Sequence, residues 1–420
     1  MILLTNILFR YVRNTHYNRK TIKKRNKLKN KLSFTLLSIF CLTLSWAQVK
    51  PTHTVTVKNT LDINRSFETV EINKANLTLN AGEDFSKLMV QDKKTKAILV
   101  SQFVDTNQDG EVDQLLFQPE ISAKSKKQFQ LVVGDNTKKP ESIDYCYSRF
   151  VPERTDDYAW ENNKVGFRTF GPTAQKMIEE SMKGGTLSSG IDAWSKRVDY
   201  PIINKWYGKA IKEIGAYHRD SGEGLDNFHV GVSRGIGGIA VKRDGNYYVS
   251  RNFTNWKTIT TGPIRTSFIL EYANWDANGQ IISEKKYISL DYGSNLSKFE
   301  IEISGTNIVN AGITLHEKKG VSSKNTESGW ISYWEPLDDS ELGTGLFVPN
   351  KNLTSVDLYE TDLKDESNYY AEIQVKNKKA IYYAGFGWKK SGQFETKASW
   401  ENYLNAFALK TNNPLIISLK

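Results

Sequence analysis

Hydrophobic and polar residues alternate in several short runs in the first third of the chain. The runs are THTVTVKN, SFETVEI, AILVSQFVD, EVDQLLFQ and KQFQLVVG, separated by polar segments or by Gly, Asn and Asp turns. Period-two alternation between turn signals is the pattern of a strand with one buried face. The sequence therefore predicts a small N-terminal β-sandwich over residues 48–135.

A polar segment with one proline, DNTKKPES, follows these runs and is predicted to be a linker. Beyond it the apolar runs are longer and more aromatic: IRTSFILEYANW, EKKYISLDYG, LSKFEIEIS, YYAEIQVKN and KAIYYAGFGW. Helices are predicted only near residues 173–182 and 400–409. Many long strands with few helices are typical of antiparallel sheets. We therefore expect an all-β, mainly antiparallel chain, in which a large β-sandwich or supersandwich over residues 143–420 forms the catalytic domain.

Charge is distributed unevenly along the chain. The formal net charge is +10, but ten Lys or Arg and no acid fall in the first 31 residues, and the rest of the chain is balanced. The uncharged run LSFTLLSIFCLTLSWAQ follows at once and has the length and small-residue ending of a signal peptide. It is too short for a membrane span, which needs about 20 apolar residues. We predict a signal peptide with a long basic n-region over residues 1–47, export to a bacterial periplasm, and no nucleic-acid partner.

Cysteine usage fits this compartment. Of the two cysteines, Cys41 falls in the predicted leader and Cys146 is the only one of the mature chain. One cysteine excludes an intramolecular disulfide framework and a cysteine-based zinc site. An exported chain without disulfides is more typical of a bacterial periplasm than of a small secreted scaffold.

The stretch DTNQDGEVD has the oxygen spacing with which a calcium loop begins. Its first, third, fifth and ninth positions are Asp105, Asn107, Asp109 and Asp113, and its sixth is a glycine. The twelfth position is Leu116 rather than a bidentate glutamate, so the stretch departs from the helix-loop-helix pattern. We favour an Asx-rich hairpin turn, with a structural calcium site as the alternative.

The densest group of reactive side chains is YHRDSGEGLDNFHVGVSRGIGG, residues 217–238. Glycine this frequent disfavours a core strand and allows the backbone to approach a ligand or a neighbouring strand closely. We predict a catalytic site that includes Tyr217, His218, His229 and Arg234, with substrate contacts from Arg219 and Glu223. Two alternatives stay open, namely ordinary half-buried histidines and zinc ligation by the two histidines with a carboxylate.

Two further segments carry candidate substrate-binding residues. In YAWENNKVGFRTFG, Trp160, Lys164 and Arg168 recur beside aromatic residues, as in a wall that stacks on a sugar ring and pairs with an anion. The alternative is an edge strand with solvated charges. GITLHEKKG places His316 at the end of an apolar run, from which it could reach a common cleft. Trp334 completes this predicted substrate-binding set.

The combination of WENNKVGFRTFGP, YHRDSGEGLDNFHVGVSRGIGG and GITLHE resembles a family of exported bacterial proteins of unknown function. Its members are met in polysaccharide-degradation systems of marine Bacteroidetes, and it includes an oligosaccharide dehydratase of ulvan breakdown. The resemblance extends over most of the mature chain, and YH…GEGLD…HVG…RG is its most specific part. It implies removal of water from a glucuronic or iduronic acid at the non-reducing end of ulvan-type oligosaccharides.

This reaction explains why the residue types of the 217–238 segment belong together. Elimination across C4 and C5 removes a proton next to a carboxylate, and a bidentate guanidinium is the usual group that masks such a charge. Histidine and tyrosine can serve as base and acid near neutral pH. The expected partner is an anionic, uronate-containing and sulfated oligosaccharide, and no cofactor is required beyond the calcium alternative.

Two other functions remain open on the sequence alone. A chain-cleaving polysaccharide lyase uses the same base and charge-masking group but expels a sugar instead of water. A non-catalytic carbohydrate-binding protein could present the same aromatic and charged residues. The assignment of base and acid between the two histidines, and the oligomeric state, are not determined by the sequence.

Overall fold

Antiparallel β-sheet dominates the structure, a computed structural model that describes residues 51–81, 83–134 and 139–420. The predicted signal peptide lies outside the described residues. The described part has three α-helices, α1 Pro172–Glu179, α2 Ile203–Lys212 and α3 Lys397–Asn412. The prediction of an all-β, mainly antiparallel fold is confirmed.

The N-terminal part forms two small sheets around a core of its own. Its strands are β1 Pro51–Lys58, β2 Val70–Asn73, β3 Leu88–Asp92, β4 Ser101–Val104, β5 Gln114–Phe117 and β6 Lys126–Val133. One sheet has the order β2-β5-β4, and the other contains β1, β6 and β3. Val57, Leu115 and Phe129 are among the fully buried residues between them. Five of these strands coincide with the alternating runs of the sequence, and β3 was not predicted.

The larger part contains three sheets. Its strands are β7 Tyr147–Val151, β8 Asp157–Glu161, β9 Gly166–Thr169, β10 Asp192–Lys196, β11 Gly224–Leu225, β12 Ile236–Arg243, β13 Asn246–Tyr248, β14 Phe253–Thr260, β15 Arg265–Tyr272, β16 Trp275–Asp276, β17 Ile281–Asp291, β18 Leu296–Ser304, β19 Ile308–Thr314, β20 Val321–Asn325, β21 Trp330–Leu337, β22 Ser340–Phe347, β23 Leu353–Tyr359, β24 Asn368–Gln374 and β25 Lys379–Trp388. The orders are β11-β10-β9-β8-β7, β13-β12-β19-β24-β23 and β14-β15-β17-β18-β25-β22-β21-β20, with β16 beside β17. One apolar core joins residues from all three sheets.

The C-terminal strand returns to the N-terminal part. β26 Ile416–Leu419 pairs with β1, with Val55 opposite Leu419, and extends the sheet to β26-β1-β6-β3. The two parts have separate sheets and separate main cores, but Val104 and Leu116 of the first part pack in one cluster with Ile264 of the second, and this sheet contains a strand from each end of the chain. The division into domains at residues 48–135 and 143–420 stays a prediction.

Local sequence accounts for the regular elements. In β15 and β17 every second residue is buried, so each strand packs one face against the core and leaves the other at the surface. Helix α3 begins with a capping box, because the Thr396 hydroxyl accepts from the Ser399 amide and the Ser399 hydroxyl accepts from the Thr396 amide. Among the described residues, no helix has both the length and the apolarity needed to cross a membrane.

Candidate functional site

A cavity of about 620 Å³ opens beside the β8–β9–β10 strands. This volume is in the range of small-molecule sites. Its lining includes the charged residues Arg154, Arg168 and Asp192 and apolar residues such as Ile178 and Val232. Both His218 and His229 line it, so the structure brings the two predicted catalytic histidines to one cavity.

Strand pairing places the charged residues of the cavity wall. Arg168 in β9 lies directly opposite Asp192 in β10. Asp226 follows β11, which pairs with β10 through Ser195 and Leu225. Gly224 permits this close pairing, because a Cβ there would lie 1.9 Å from the Ser195 carbonyl oxygen, and its φ is +113°.

The buried guanidinium of Arg168 is shared by three carboxylates. Its Nε and Nη2 donate to Asp192 Oδ2 over 2.8 and 2.5 Å, and Nη2 also donates to Asp226 Oδ2 over 2.9 Å. Asp157 Oδ2 lies 3.7 Å from Nη1. Burial raises the pKa of Asp157 to about 6 and raises that of Asp192 well above its ordinary value. Arg168, Asp192 and Asp226 of this cluster line the cavity, and Oδ1 of Asp157 and Oδ1 of Asp192 are buried without a hydrogen-bond partner among the described residues.

Arg154 differs from Arg168 because it has no carboxylate partner. Its Nε donates to Tyr217 Oη over 3.1 Å and its Nη1 donates to Thr155 Oγ1 over 2.6 Å. Among the described residues, no carboxylate oxygen lies within 4.0 Å of its guanidinium. Burial lowers the pKa of Arg154, but Asp157 and Tyr217 together outweigh it and the net shift is upward, so the group stays cationic. A guanidinium with free donors has the chemistry to bind an anionic group.

His218 is oriented so that one ring nitrogen is open. It ends a 3-10 turn, Ala216–His218, and its Nδ1 lies 2.6 Å from the Asp226 carbonyl oxygen. Because a carbonyl only accepts, Nδ1 carries the hydrogen in the neutral ring, and Nε2 then has a free lone pair. Nε2 makes no hydrogen bond within the described part of the chain, and about half of the side chain is exposed.

His229 is held by a carboxylate from a distant loop. Its Nε2 lies 2.9 Å from Asp365 Oδ2, and Asp365 also lines the cavity. Gly231 makes room for this carboxylate, since a Cβ there would lie 2.1 Å from Asp365 Oδ2. The carboxylate fixes the ring orientation and places the hydrogen on Nε2.

His316 lies behind the segment that carries His229 and is not part of the cavity wall. Its Nδ1 lies 2.6 Å from Glu335 Oε1 and its Nε2 lies 2.8 Å from the His229 carbonyl oxygen. Burial lowers the pKa of His316, but the hydrogen bond and charge of Glu335 outweigh it, and the net shift is upward. Both nitrogens therefore donate, and this charged ring ties the backbone of His229 to β21. His316 therefore does not line the cavity, contrary to the prediction that it reaches the cleft.

Three other predicted residues are in the interior. Trp160 is fully buried, stacks on Phe167 and donates from its indole to Ser297 Oγ, so its ring has no face for a sugar. Arg234 is 1% exposed and donates to Ser189 Oγ and to backbone carbonyls of the same turn. Trp334 packs in the α3 cluster and donates to Glu341. The sequence pattern did not distinguish these core positions from cavity positions.

Four predicted residues do not line the cavity: Tyr217, Arg219 and Glu223 of the 217–238 segment, and Lys164. Tyr217 is buried, and its Oη accepts from Arg154 and, over 3.4 Å, from Arg168. Arg219 is exposed and pairs with Glu213. Glu223 pairs with Lys205 and Lys209 and accepts from Tyr200, and although burial raises its pKa, these partners hold it at about 2. Lys164 is half-buried, and its backbone bonds Asn162 and Gln393.

Four charged residues of the cavity were not predicted from the sequence: Arg154, Asp192, Asp226 and Asp365. Asp226 lies inside the GEGLD motif, so the motif could have indicated this residue from the sequence alone. Arg154 and Asp365 fall in segments without a recognisable motif. Asp365 reaches His229 across 136 residues of sequence, a contact that only the folded sheets create.

The DTNQDGEVD stretch forms the turn between β4 and β5. Asp105 Oδ1 accepts from the amides of Gln108 and Asp109, and its Oδ2 accepts from that of Gly110. Asp113 accepts from Thr106. These are the bonds of an Asx-rich turn. The calcium alternative stays a prediction.

The chain belongs to the family described as "Domain of unknown function (DUF4861)", which it matches over residues 57–417. It is 59% identical over 367 residues to "Uncharacterized protein P7" of Formosa agariphila, with 87% of this chain and 93% of that protein covered. A crystal structure of a protein in the glycosyl hydrolase family 38 from Enterococcus faecalis has a similar fold, with a TM-score of 0.50 and 11% identity over 89% of this chain. The chain spans about half of that protein, 49% of its length.

Proposed function

We propose that the protein is a carbohydrate-active dehydratase that removes water from the terminal uronic acid of an oligosaccharide. The observation that carries the proposal is the cavity in which Arg154, a cation without an ion pair, faces the same space as His218 and His229. An anion receptor beside two oriented imidazoles is the set of groups that elimination next to a carboxylate needs.

Arg154 takes the role that the sequence had suggested for Arg234. The C5 proton of a uronate is weakly acidic because its removal places a second negative charge beside the carboxylate. A guanidinium bound to that carboxylate neutralises it and stabilises the enolate-like transition state. Arg154 has donors left for this contact after its bonds to Tyr217 and Thr155, whereas Arg234 is enclosed in the core.

The orientation of the two histidines suggests how the proton transfers are divided. His218 presents an Nε2 lone pair and is the proposed base that takes the C5 proton. His229 is the proposed acid in its doubly protonated form: Nε2–H stays bonded to Asp365, and Nδ1–H protonates the C4 hydroxyl as its bond to carbon breaks. One C–H and one C–O bond are broken, a C4–C5 double bond forms, and one water leaves. No redox step occurs.

The proposed substrate class combines three lines of support. The motif resemblance suggests a glucuronic or iduronic acid at the non-reducing end of a sulfated, ulvan-type oligosaccharide. The fold shared with a structure of glycosyl hydrolase family 38 supports action on carbohydrate. The basic, apolar leader supports export to the periplasm, where oligosaccharides from outside the cell arrive.

Mass spectrometry of a defined saturated oligosaccharide tests the proposal. The expected product has lost one water and has kept its chain length. A shortened product would establish a chain-cleaving lyase, and unchanged mass with measurable binding would establish a carbohydrate-binding protein. Arg154→Ala should abolish the mass change while the melting temperature is retained, and Arg219→Ala, an exposed arginine outside the cavity, is the matched control.

A further inference from the structure

A second concave site lies at the junction of the N-terminal sheets and the large sandwich. It encloses about 650 Å³, within the range of ligand sites, and shares no lining residue with the cavity described above. We call it the aromatic groove, defined by the rings of Phe67, Tyr145 and Tyr292 and the exposed apolar side chains of Val100 and Ile143.

The aromatic groove holds a phenylalanine in an unfavourable conformation. Phe67 has a φ of +58°, a region that bulky side chains rarely adopt, and it is 52% exposed. Its ring lies against the backbone of Gly293, where a Cβ would be 2.6 Å from the Phe67 ring. The strain and the exposure both oppose stability, and strained residues concentrate at ligand-binding positions.

Neighbouring groups fix the rings of the groove. The Phe67 and Tyr292 centroids are 5.7 Å apart, and those of Tyr145 and Tyr292 are 5.2 Å apart. Gln118 Nε2 donates to the carbonyl oxygens of Phe67 and Tyr292 over 3.2 and 3.1 Å, and so joins the two residues. The platform is therefore organised before any ligand binds.

The polar groups of the groove are mainly acceptors. Because the amide nitrogen of Gln118 is fixed inward, its Oε1 is available, and it makes no hydrogen bond within the described residues. The carboxylates of Glu120 and Glu141 also lie on the groove and have no hydrogen-bonding partner in the described part. No Lys or Arg is among the described residues that line it. The ligand that fits has an apolar face for the rings, several hydroxyl donors and no negative charge.

We propose that the aromatic groove binds a neutral saccharide, with a pyranose ring stacked on the exposed Phe67 and flanked by the Tyr292 ring, which is tilted by 57° from that of Phe67, and with its hydroxyl groups donating to Gln118, Glu120 and Glu141. The apolar face of a pyranose packs on an aromatic ring, while its hydroxyls need acceptors at the rim. The absence of a lining cation distinguishes this site from the Arg154 cavity, which suits an anion. The proposal does not depend on the dehydratase activity.

Binding of neutral hexasaccharides of glucose, xylose and mannose, followed by isothermal titration calorimetry and by chemical shift changes in the full chain, tests this site. At least one hexasaccharide is expected to bind, and Phe67→Ala is expected to weaken it at least ~10-fold, or about 1.4 kcal/mol. The matched control is Trp256→Ala, another exposed aromatic residue, which lies outside the groove and should leave binding unchanged.

Phe67→Gly separates binding from folding. Glycine relieves the positive φ, so this variant should melt at or above the temperature of the unsubstituted protein while it loses saccharide binding. The proposal is overturned if none of the three hexasaccharides binds, if binding survives both Phe67 substitutions, or if only an apolar dye occupies the groove. None of these outcomes changes the test of dehydration, because the probes are neutral and carry no uronate.

Discussion

The cavity wall around Arg154 and the sandwich interior around Arg234 each contain an arginine without an ion pair in the described residues, but only one of them can meet a ligand. Arg154 lines the cavity and bonds Tyr217 and Thr155. Arg234 is 1% exposed, and burial lowers its pKa. Its guanidinium donates to Ser189 and to the backbone of residues 232 and 239. The same functional group is therefore accessible from a cavity in one region, where we propose that it binds an anion, and is enclosed by the fold in the other.

The difference shows that exposure to a cavity determines whether a reactive side chain can contact a ligand. Arg234 is only five residues from His229, but the chain turns inward at Gly235, which has a φ of +56° and packs against the Ile191 carbonyl. Strand β12 begins at Ile236, and its first six residues are buried, so the expectation that this glycine-rich segment avoids a core strand is wrong at its end. The 217–238 segment is thus divided into a first part at the cavity and a second part that anchors it.

Substitution of the buried Arg234 should have the largest effect on stability. We expect Arg234→Ala to lower the free energy of unfolding by about 3 kcal/mol or more, because the packing of the long side chain is lost and buried acceptors are left unpaired. Arg154→Ala should cost less than about 1 kcal/mol. Urea unfolding of both variants measures this contrast. Equal losses would show that the two arginines have the same structural role.

Substitution of the histidines should affect catalysis rather than folding. His218→Ala and His229→Ala are each expected to lower turnover by ~10²-fold or more, the usual contribution of a general acid or base. Both side chains are more than half exposed, so the melting temperature should change little. The measurement is the initial rate of unsaturated product formation beside a thermal melt. Folded variants with near-normal rates would exclude these two roles.

The geometry of charge neutralisation can be tested by a conservative change. Arg154→Lys keeps the positive charge but loses the planar, bidentate contact to a carboxylate, and we expect a ~10-fold loss of kcat/KM. Arg154→Ala should lose at least ~10². If the two variants are equally impaired, the fork geometry matters more than the charge. If both are fully active, Arg154 is not the carboxylate receptor.

The ion pair behind His229 predicts a pH dependence of stability. The folded pKa of His316 is raised, so the pair stabilises the fold below the unfolded pKa, about 6.5, and this contribution is lost as the pH rises through the folded pKa. Glu335→Gln should lower the free energy of unfolding near pH 6 by about 1–3 kcal/mol and by less in alkaline solution. Denaturant unfolding across this pH range is the measurement. A pH-independent difference would contradict the charged state assigned to His316.

Calcium is expected to have the smallest effect. Because the Asp105 carboxylate already accepts three backbone amides, we expect the melting temperature to be unchanged by calcium or by a chelator. An increase in melting temperature with calcium would support a structural calcium site, because an ion that binds only the folded state stabilises it.

The sequence predicted most strands because a strand with one buried face alternates apolar and polar residues along the chain, as in β15 and β17. It also named His218 and His229, which the structure brings to one cavity, although their catalytic roles stay a prediction. It missed Arg154 and Asp365 because their neighbours in the fold come from distant segments. It misassigned Trp160 and Arg234 because polar and aromatic residues serve in cores when their hydrogen bonds are satisfied there.

The central claim is that His218 removes the C5 proton of a terminal uronate while Arg154 neutralises its carboxylate, and that water then leaves. An oligosaccharide with deuterium at C5 of that residue tests it most directly by the mass of the product. We predict loss of the deuterium together with one hydroxyl group, full chain length, and slower turnover than with the unlabelled compound. A product that retains the deuterium, or a shortened chain, would contradict the account.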